Sequence, residues 1–155
     1  MSVYENIILW YCTDMFYVSK TSDKDYMKNK LTNECISSSD ISNILRLLVR
    51  VRNICCHYDI LISFVDDKIG IKNTIYHEKF NVKKNDKGNV IQGKKDLFGV
   101  LISIKLLLDK DKFNILINNL SQLIIEYDKQ IGSLNRKQLL SIMHFPYDFE
   151  KLKEL

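Results

Sequence analysis

The sequence predicts an all-α protein, a bundle of four to six helices with an irregular, basic loop between the central helix and the next. Three observations carry this. One proline and five glycines in 155 residues are too few for a turn-rich β fold. Apolar residues recur at helical spacing through several long stretches. Residues 40–64, ISNILRLLVRVRNICCHYDILISF after Asp40, run without Gly or Pro behind Ser37-Ser38-Ser39-Asp40, a cluster of good N-cap residues. The expected architecture is two long antiparallel helix pairs.

Residues 3–19 read as the first helix. Ile7, Ile8, Tyr11, Met15 and Val18 share an apolar face that Trp10 and Phe16 widen. Asp14 is either a partly exposed carboxylate or the partner of an arginine on a facing helix. Residues 20–38 are polar and lysine-rich, with a short helix expected over 24–31. The central helix over 40–64 follows, and Asp66, Asp67 and Gly70 end it or the next turn. Residues 66–95 are the least regular part, expected as a loop with short ordered pieces. Asn85-Asp86-Lys87-Gly88-Asn89 is its turn signal. Lys79, Lys83, Lys84, Lys87, Lys94 and Lys95 make it basic, for solubility or for phosphate contact. Asp96 is a good N-cap for a nearly all-apolar helix over 97–108, which should be buried or lie at a subunit interface. Asp109-Lys110-Asp111 reads as a tight connection. The helix over 112–131 is amphipathic, with Phe113, Ile117, Leu120, Ile124 and Tyr127 on its core face and Gly132 as its C′ residue. Asn135-Arg136-Lys137-Gln138 resembles a capping box opening a helix over 136–143, which Pro146 stops.

The length suits one domain over 1–155 with a real core. A net charge of +4, from 23 basic and 19 acidic residues, permits a polyanion partner without demanding one. No apolar run reaches the roughly 18 residues needed to span a bilayer. The N-terminus lacks the basic start of a signal peptide, so a cytoplasmic protein with reduced cysteines is expected. Cys12, Cys35, Cys55 and Cys56 form no C-x2-C pair, and His77 and His144 stand apart from carboxylates and cysteines, so no metal site and no cofactor are expected. P-loop, dinucleotide-binding, zinc-protease and nucleophile-elbow motifs are all missing from the chain.

On the central helix Arg46, Arg50, Asn53 and His57, at spacings of 4, 3 and 4, make one narrow polar stripe. Arg52 breaks the pattern. It lies roughly 120° from the start of the stripe, flanked by Leu45, Leu48 and Cys56. An arginine there either packs its stem and keeps its head in water, or takes a partner such as Asp14.

Arg52-Asn53-Ile54-Cys55-Cys56-His57 is an Arg, four residues and a His. It resembles the R-x4-6-H motif of HEPN domains, in which Asn often follows the Arg. With Leu61-Ile62-Ser63-Phe64 it is similar to the RN-x-C-A-H...L-Y-S-F segment of the Abi-like abortive-infection family (AbiD/AbiF type). Gly93-Lys94-Lys95-Asp96-Leu97-Phe98-Gly99-Val100 resembles that family's G-K-x-D-L-F-A-V, and Met143-His144-Phe145-Pro146-Tyr147-Asp148-Phe149 its closing M-G-F-P-x-N-W. Trp10 to Asp14 has the spacing of the family's W-x3-E, with Asp for Glu. Members are commonly about twice as long, and this chain looks like their C-terminal half, either a fragment or a short member, so a separate N-terminal domain or partner protein is an open expectation.

The resemblance implies a HEPN-like helical bundle and metal-independent RNA cleavage in phage defence, with two copies of the motif meeting in the cleft of a homodimer. His57 is then the general acid/base, Arg52 stabilises the phosphorane, and Asn53 orients His57 or the phosphate. Arg50, Arg46, Lys94 and Lys95 hold flanking phosphates, and Asp14 supports the site. The family often continues H-H-x-R-L, where this chain has Tyr58 and Ile60. That departure leaves open a module that binds RNA or a toxin partner without cutting. A helical oligomerisation domain, with Arg52 and Asp14 as a structural pair, is the third reading.

Overall fold

The computed structural model describes residues 38–57, 59–131 and 134–155. The expected helices over 3–19 and 24–31, Asp14, Tyr58 and Gly132 lie outside the described residues. The chain divides into two compact units, Met1–Ser39 and Asp40–Leu155, and the second holds nearly all that is described. Its elements are helices α1 (Ser38–Cys56), α2 (Ile75–Lys79), α3 (Leu97–Leu107), α4 (Lys110–Ile131) and α5 (Arg136–Ile142), then a 3-10 helix (Phe149–Lys153). The described residues contain no strand, only isolated antiparallel bridges at Val65–Asp96 and Lys84–Val90. The fold is all-α, and the described residues hold five α-helices, within the four to six expected.

The most enclosed stretch is α3. Asp96 accepts from the Gly99 backbone N–H at 3.0 Å as its N-cap, and every residue from Leu97 to Ser103 is buried. A helix apolar around its whole circumference can be satisfied only in this way. α4 is the platform on which α3, α5 and the 3-10 helix pack. Phe113, Ile117 and Ile124 of α4 face the core, as the sequence spacing predicts. Asp109 accepts from the Lys112 N–H at 3.0 Å as an N-cap, so α4 begins before the expected 112 and the connection to α3 shrinks to Leu108 and Asp109. An aromatic row crosses the core: Phe80 to Phe98, Phe98 to Phe145 and Phe145 to Phe149, with centroids 5.3, 6.1 and 5.0 Å apart. Truncating a ring this enclosed costs about 3–5 kcal/mol.

The expectation for 40–64 is corrected in two respects. α1 ends at Cys56, eight residues early, and it is buried on one face only, through Ile41, Ile44 and Leu47. An ion pair marks the fold-back. Arg50 Nε lies 3.0 Å from Asp66 Oδ2, whereas an unbroken helix would set residues 50 and 66 about 24 Å apart along its axis. The chain must fold back between them. His57 N–H closes the helix on the Asn53 and Ile54 carbonyls, Asp59 N–H also reaches Ile54, and Phe64 then turns into the core.

Residues 66–95 form the expected loop with short ordered pieces. Asn85 accepts at Oδ1 from the Lys87 and Asn89 N–H groups, and Gly88 takes φ +77° to close that turn. α5 opens with the expected capping box between Asn135 and Gln138. It ends before Pro146 is reached. Phe145 N–H bonds the Leu140 carbonyl and His144 N–H the Ser141 carbonyl, a Schellman cap with His144 at φ +59° in the left-handed position.

Candidate functional site

The polar stripe of α1 emerges as the spacing predicts. Arg46, Arg50, Asn53 and His57 are all exposed, away from Ile41, Ile44 and Leu47. Arg50 is the anchored member. Its Nε donates to Asp66, whose carboxylate is 2% exposed and also accepts from the Lys68 and Ile69 N–H groups at 2.8 and 2.6 Å. Burial alone would raise the Asp66 carboxyl. The two N–H groups and the Arg50 guanidinium outweigh it and hold it below the usual carboxylate range.

Arg52 and its neighbours are not enclosed. Arg52, Asn53, Cys55, Cys56 and His57 are exposed, while Leu45 and Leu48 beside Arg52 are half-buried. Arg52 Nη1 donates to Asn53 Oδ1 at 3.0 Å, so the two side chains form one polar unit a turn before His57. Asp14, the alternative partner for Arg52, lies outside the described residues, and the exposed head of Arg52 fits the other reading, a packed stem with its charge in water. Past the helix, Asp59 is exposed and Ile60 is 80% exposed. Comparison with family models, with curated proteins and with solved structures finds no match to this chain.

Lys94 and Lys95 are half-buried, and their backbone is used in the fold. The Lys94 carbonyl accepts from Ile71 N–H at 3.0 Å, and the Lys95 carbonyl from Asp66 N–H at 2.7 Å. Lys95 Nζ donates to the Asp67 carbonyl at 2.7 Å. Lys95 and Arg50 therefore grip the same turn, from the loop side and from the helix side. Among the described residues no group of three or more His, Cys, Asp or Glu is placed to hold a metal ion. No helix is long and apolar enough to cross a membrane among those residues.

Two features escape the sequence reading. The first is a buried polar cluster around His77, itself 2% exposed. Its Nδ1 takes the Thr74 backbone N–H at 2.9 Å, so Nε2 carries the proton and donates to the Gly93 carbonyl at 2.7 Å. Burial pushes the His77 imidazole below its ordinary pKa, and the Lys94 charge adds to the effect. Nearby, both Asp96 carboxylate oxygens accept from Gly93 N–H, at 3.1 and 2.9 Å, and burial pushes this carboxyl up against the pull of the N–H groups of Gly93 and Gly99. Thr74-x-x-His77 has capping-box spacing with His in place of Glu, and that was the signal available. The second feature is a groove of about 700 Å³ beside α5, with Lys83, Arg136, Lys137 and Tyr147 in its lining. Its lining comes from four separate parts of the chain, so no local motif marks it.

Proposed function

We infer that the chain is an RNA-acting phage-defence protein of HEPN type, a metal-independent endoribonuclease that works as a homodimer through Arg52, Asn53 and His57. The observation that carries this reading is the exposed last turn of α1, where Arg52 is bonded to Asn53 and His57 stands one turn on. A guanidinium and an imidazole free to meet a phosphate are what the chemistry needs. A 2′-hydroxyl attacks the adjacent phosphorus and forms the 2′-O–P bond while the P–O5′ bond breaks. The neutral His57 of one protomer takes the 2′-hydroxyl proton, and the protonated His57 of its partner gives one to the departing 5′-oxygen. Arg52 neutralises the charge that builds on the phosphorane oxygens. The products are a 2′,3′-cyclic phosphate and a 5′-hydroxyl. Two copies of the motif meet only if the last turns of α1 face each other, so a two-fold dimer belongs to the reading. Arg46 is exposed on the same stripe and suits a flanking phosphate, whereas Arg50 is held by Asp66.

A specific observation favours a second reading, RNA binding without cleavage. Ile60, 80% exposed, stands where the resembled segment carries Arg, and the exposed Asp59 next to it repels phosphate. Cleavage assayed in excess EDTA separates the two. The nuclease reading expects cyclic phosphate ends and their loss in Arg52→Ala and in His57→Ala. A folded, dimeric wild-type protein that retains RNA yet cuts none, single-stranded or structured, leaves the binding module.

A further inference from the structure

We propose that the groove beside α5 is a binding site for a nucleoside phosphate, separate from the Arg52–His57 turn and independent of the reading given to that turn. Its volume, about 700 Å³, falls within the range of small-ligand sites. The floor is buried: Gln92, Leu140 and Phe145 are each under a tenth exposed.

The walls are held in place by that floor. Gln92 accepts from the Lys83 backbone N–H at 2.9 Å and donates to the His144 carbonyl at 2.7 Å, so one buried amide fixes both sides. Arg136 is fixed as well. Its Nη2 pairs with Glu150, its backbone N–H donates to Asp128 Oδ1 at 3.0 Å, and its guanidinium lies 5.5 Å from the centre of the Tyr147 ring. Tyr147 is nevertheless 67% exposed. An exposed aromatic ring beside a cation thus lines the groove, the kind of pair on which a nucleobase stacks.

The charges select among ligands. Lys83 and Lys137 are exposed in the lining, and neither joins an ion pair among the described residues. Two compact, mobile ammonium groups suit a phosphate. Asp128 shares the lining and accepts from the Arg136 N–H through Oδ1. Its carboxylate can accept from ribose hydroxyls or a base amino group, with the two lysines left to meet the phosphate. A planar donor-bearing base with one phosphate satisfies the ring, the lysines and the aspartate together.

The probe is adenosine 5′-monophosphate, titrated calorimetrically into the full chain, with adenosine and inorganic phosphate as separate arms. The expected result is a single saturable site for the nucleotide, with each of the other two bound at least about tenfold more weakly. Tyr147→Ala, a change at an exposed ring, should weaken the nucleotide about tenfold or more while leaving the melting curve in place. Lys83→Ala with Lys137→Ala should weaken it and flatten its salt dependence. Arg52→Ala and His57→Ala should bind it as the wild type does, which keeps this site apart from the proposed nuclease site. Hexa-adenylate bound more tightly than the mononucleotide, and still dependent on Tyr147, identifies a strand as the source; equal binding identifies a free nucleotide. No binding of either by the folded protein, phosphate binding as tight as the nucleotide, or binding indifferent to Tyr147→Ala overturns the proposal.

Discussion

Replacing His77 with Gln should make the protein less stable at neutral pH and should remove part of its acid sensitivity. In the fold His77 is a neutral ring with a committed tautomer, taking the Thr74 N–H at 2.9 Å and giving its own N–H to the Gly93 carbonyl at 2.7 Å. A proton added at Nδ1 would face the Thr74 N–H, donor against donor. Lys94 opposes that proton too, and the favourable pull of Asp96 does not compensate for burial, so the folded pKa lies below the unfolded one. The unfolded chain therefore binds the extra proton first, near pH 6.5, and stability falls as pH falls through that value until the folded ring also titrates. One proton contributes at most a slope of about 1.4 kcal/mol per pH unit, and only over the interval in which the unfolded chain holds it and the folded ring does not. At pH 7.5 the loss of a buried, fully bonded ring puts the variant about 2–3 kcal/mol below the wild type. Urea denaturation of both proteins at pH 7.5, 6.5 and 5.5 measures the gap directly. His57 and His144 are common to both and cancel. The gap should narrow steadily as the pH falls over that range. A gap that stays constant would refute the assignment of a buried neutral His77.

Other changes test other joints of the fold. His144→Gly should stabilise by about 0.5–1 kcal/mol in thermal melts, because relief of the left-handed position at φ +59° exceeds the added freedom of the unfolded chain. Gly99→Ala should destabilise by more than about 2 kcal/mol although alanine is the better helix former, since its Cβ would come within 2.8 Å of the Gly93 carbonyl oxygen and 2.9 Å of the Lys94 backbone. A neutral result in denaturant titration would mean that the 93–96 turn can move away. Asp66→Ala should cost about 3 kcal/mol by the same measurement, whereas Arg50→Ala, with a half-exposed guanidinium screened by water, should cost no more than about 1. Equal losses would argue that Asp66 is there for the ion pair and not for the turn it caps.

The parts of the fold that local chemistry decides could be read from the sequence. Asp96 and Asn135 cap the helices they were expected to cap, and the spacing of Phe113, Ile117 and Ile124 gave the buried face of α4. The end of α1 could not be read, because nothing in Tyr58-Asp59-Ile60-Leu61 is a glycine or a proline. The chain folds back there so that Phe64 is buried and Asp66 meets Arg50 sixteen residues before it, long-range contacts about which a pattern with a period of 3.6 carries no information. The same limit applies to which helix is most enclosed. α1 and α3 both read as apolar, yet among the described residues only α3 is buried around its circumference, from Leu97 to Ser103, with Phe98 meeting Phe80 and Phe145 from distant parts of the chain. In the candidate site, the stripe from Arg46 to His57 is local geometry and was legible. The half-burial of Lys94 and Lys95 was not, since their carbonyls are claimed by Ile71 and Asp66 across the loop.

That last point changes what the sequence resemblance can support. In Gly93-Lys94-Lys95-Asp96-Leu97-Phe98-Gly99 almost every residue has a packing reason. Gly93 takes φ +82° and passes close to His77 and Phe98, Asp96 caps α3, Phe98 is wholly buried, and Gly99 leaves no room for a Cβ. In the closing segment the resembled motif has glycine at the position of His144, which is the residue with φ +59°. A left-handed Schellman cap asks for glycine there on conformational grounds alone. Two of the three similar segments are therefore accounted for by how this backbone is built, and they bear on fold. Arg52-Asn53 with His57 is exposed and has no packing duty among the described residues, so this is the segment that bears on the proposed nuclease chemistry. Substitution there should be nearly silent in stability, within about 0.5 kcal/mol for exposed positions, and decisive for RNA. If Arg52→Ala or His57→Ala instead lowers the melting point by several degrees, the last turn of α1 is a structural element, and the nuclease reading loses the observation it rests on.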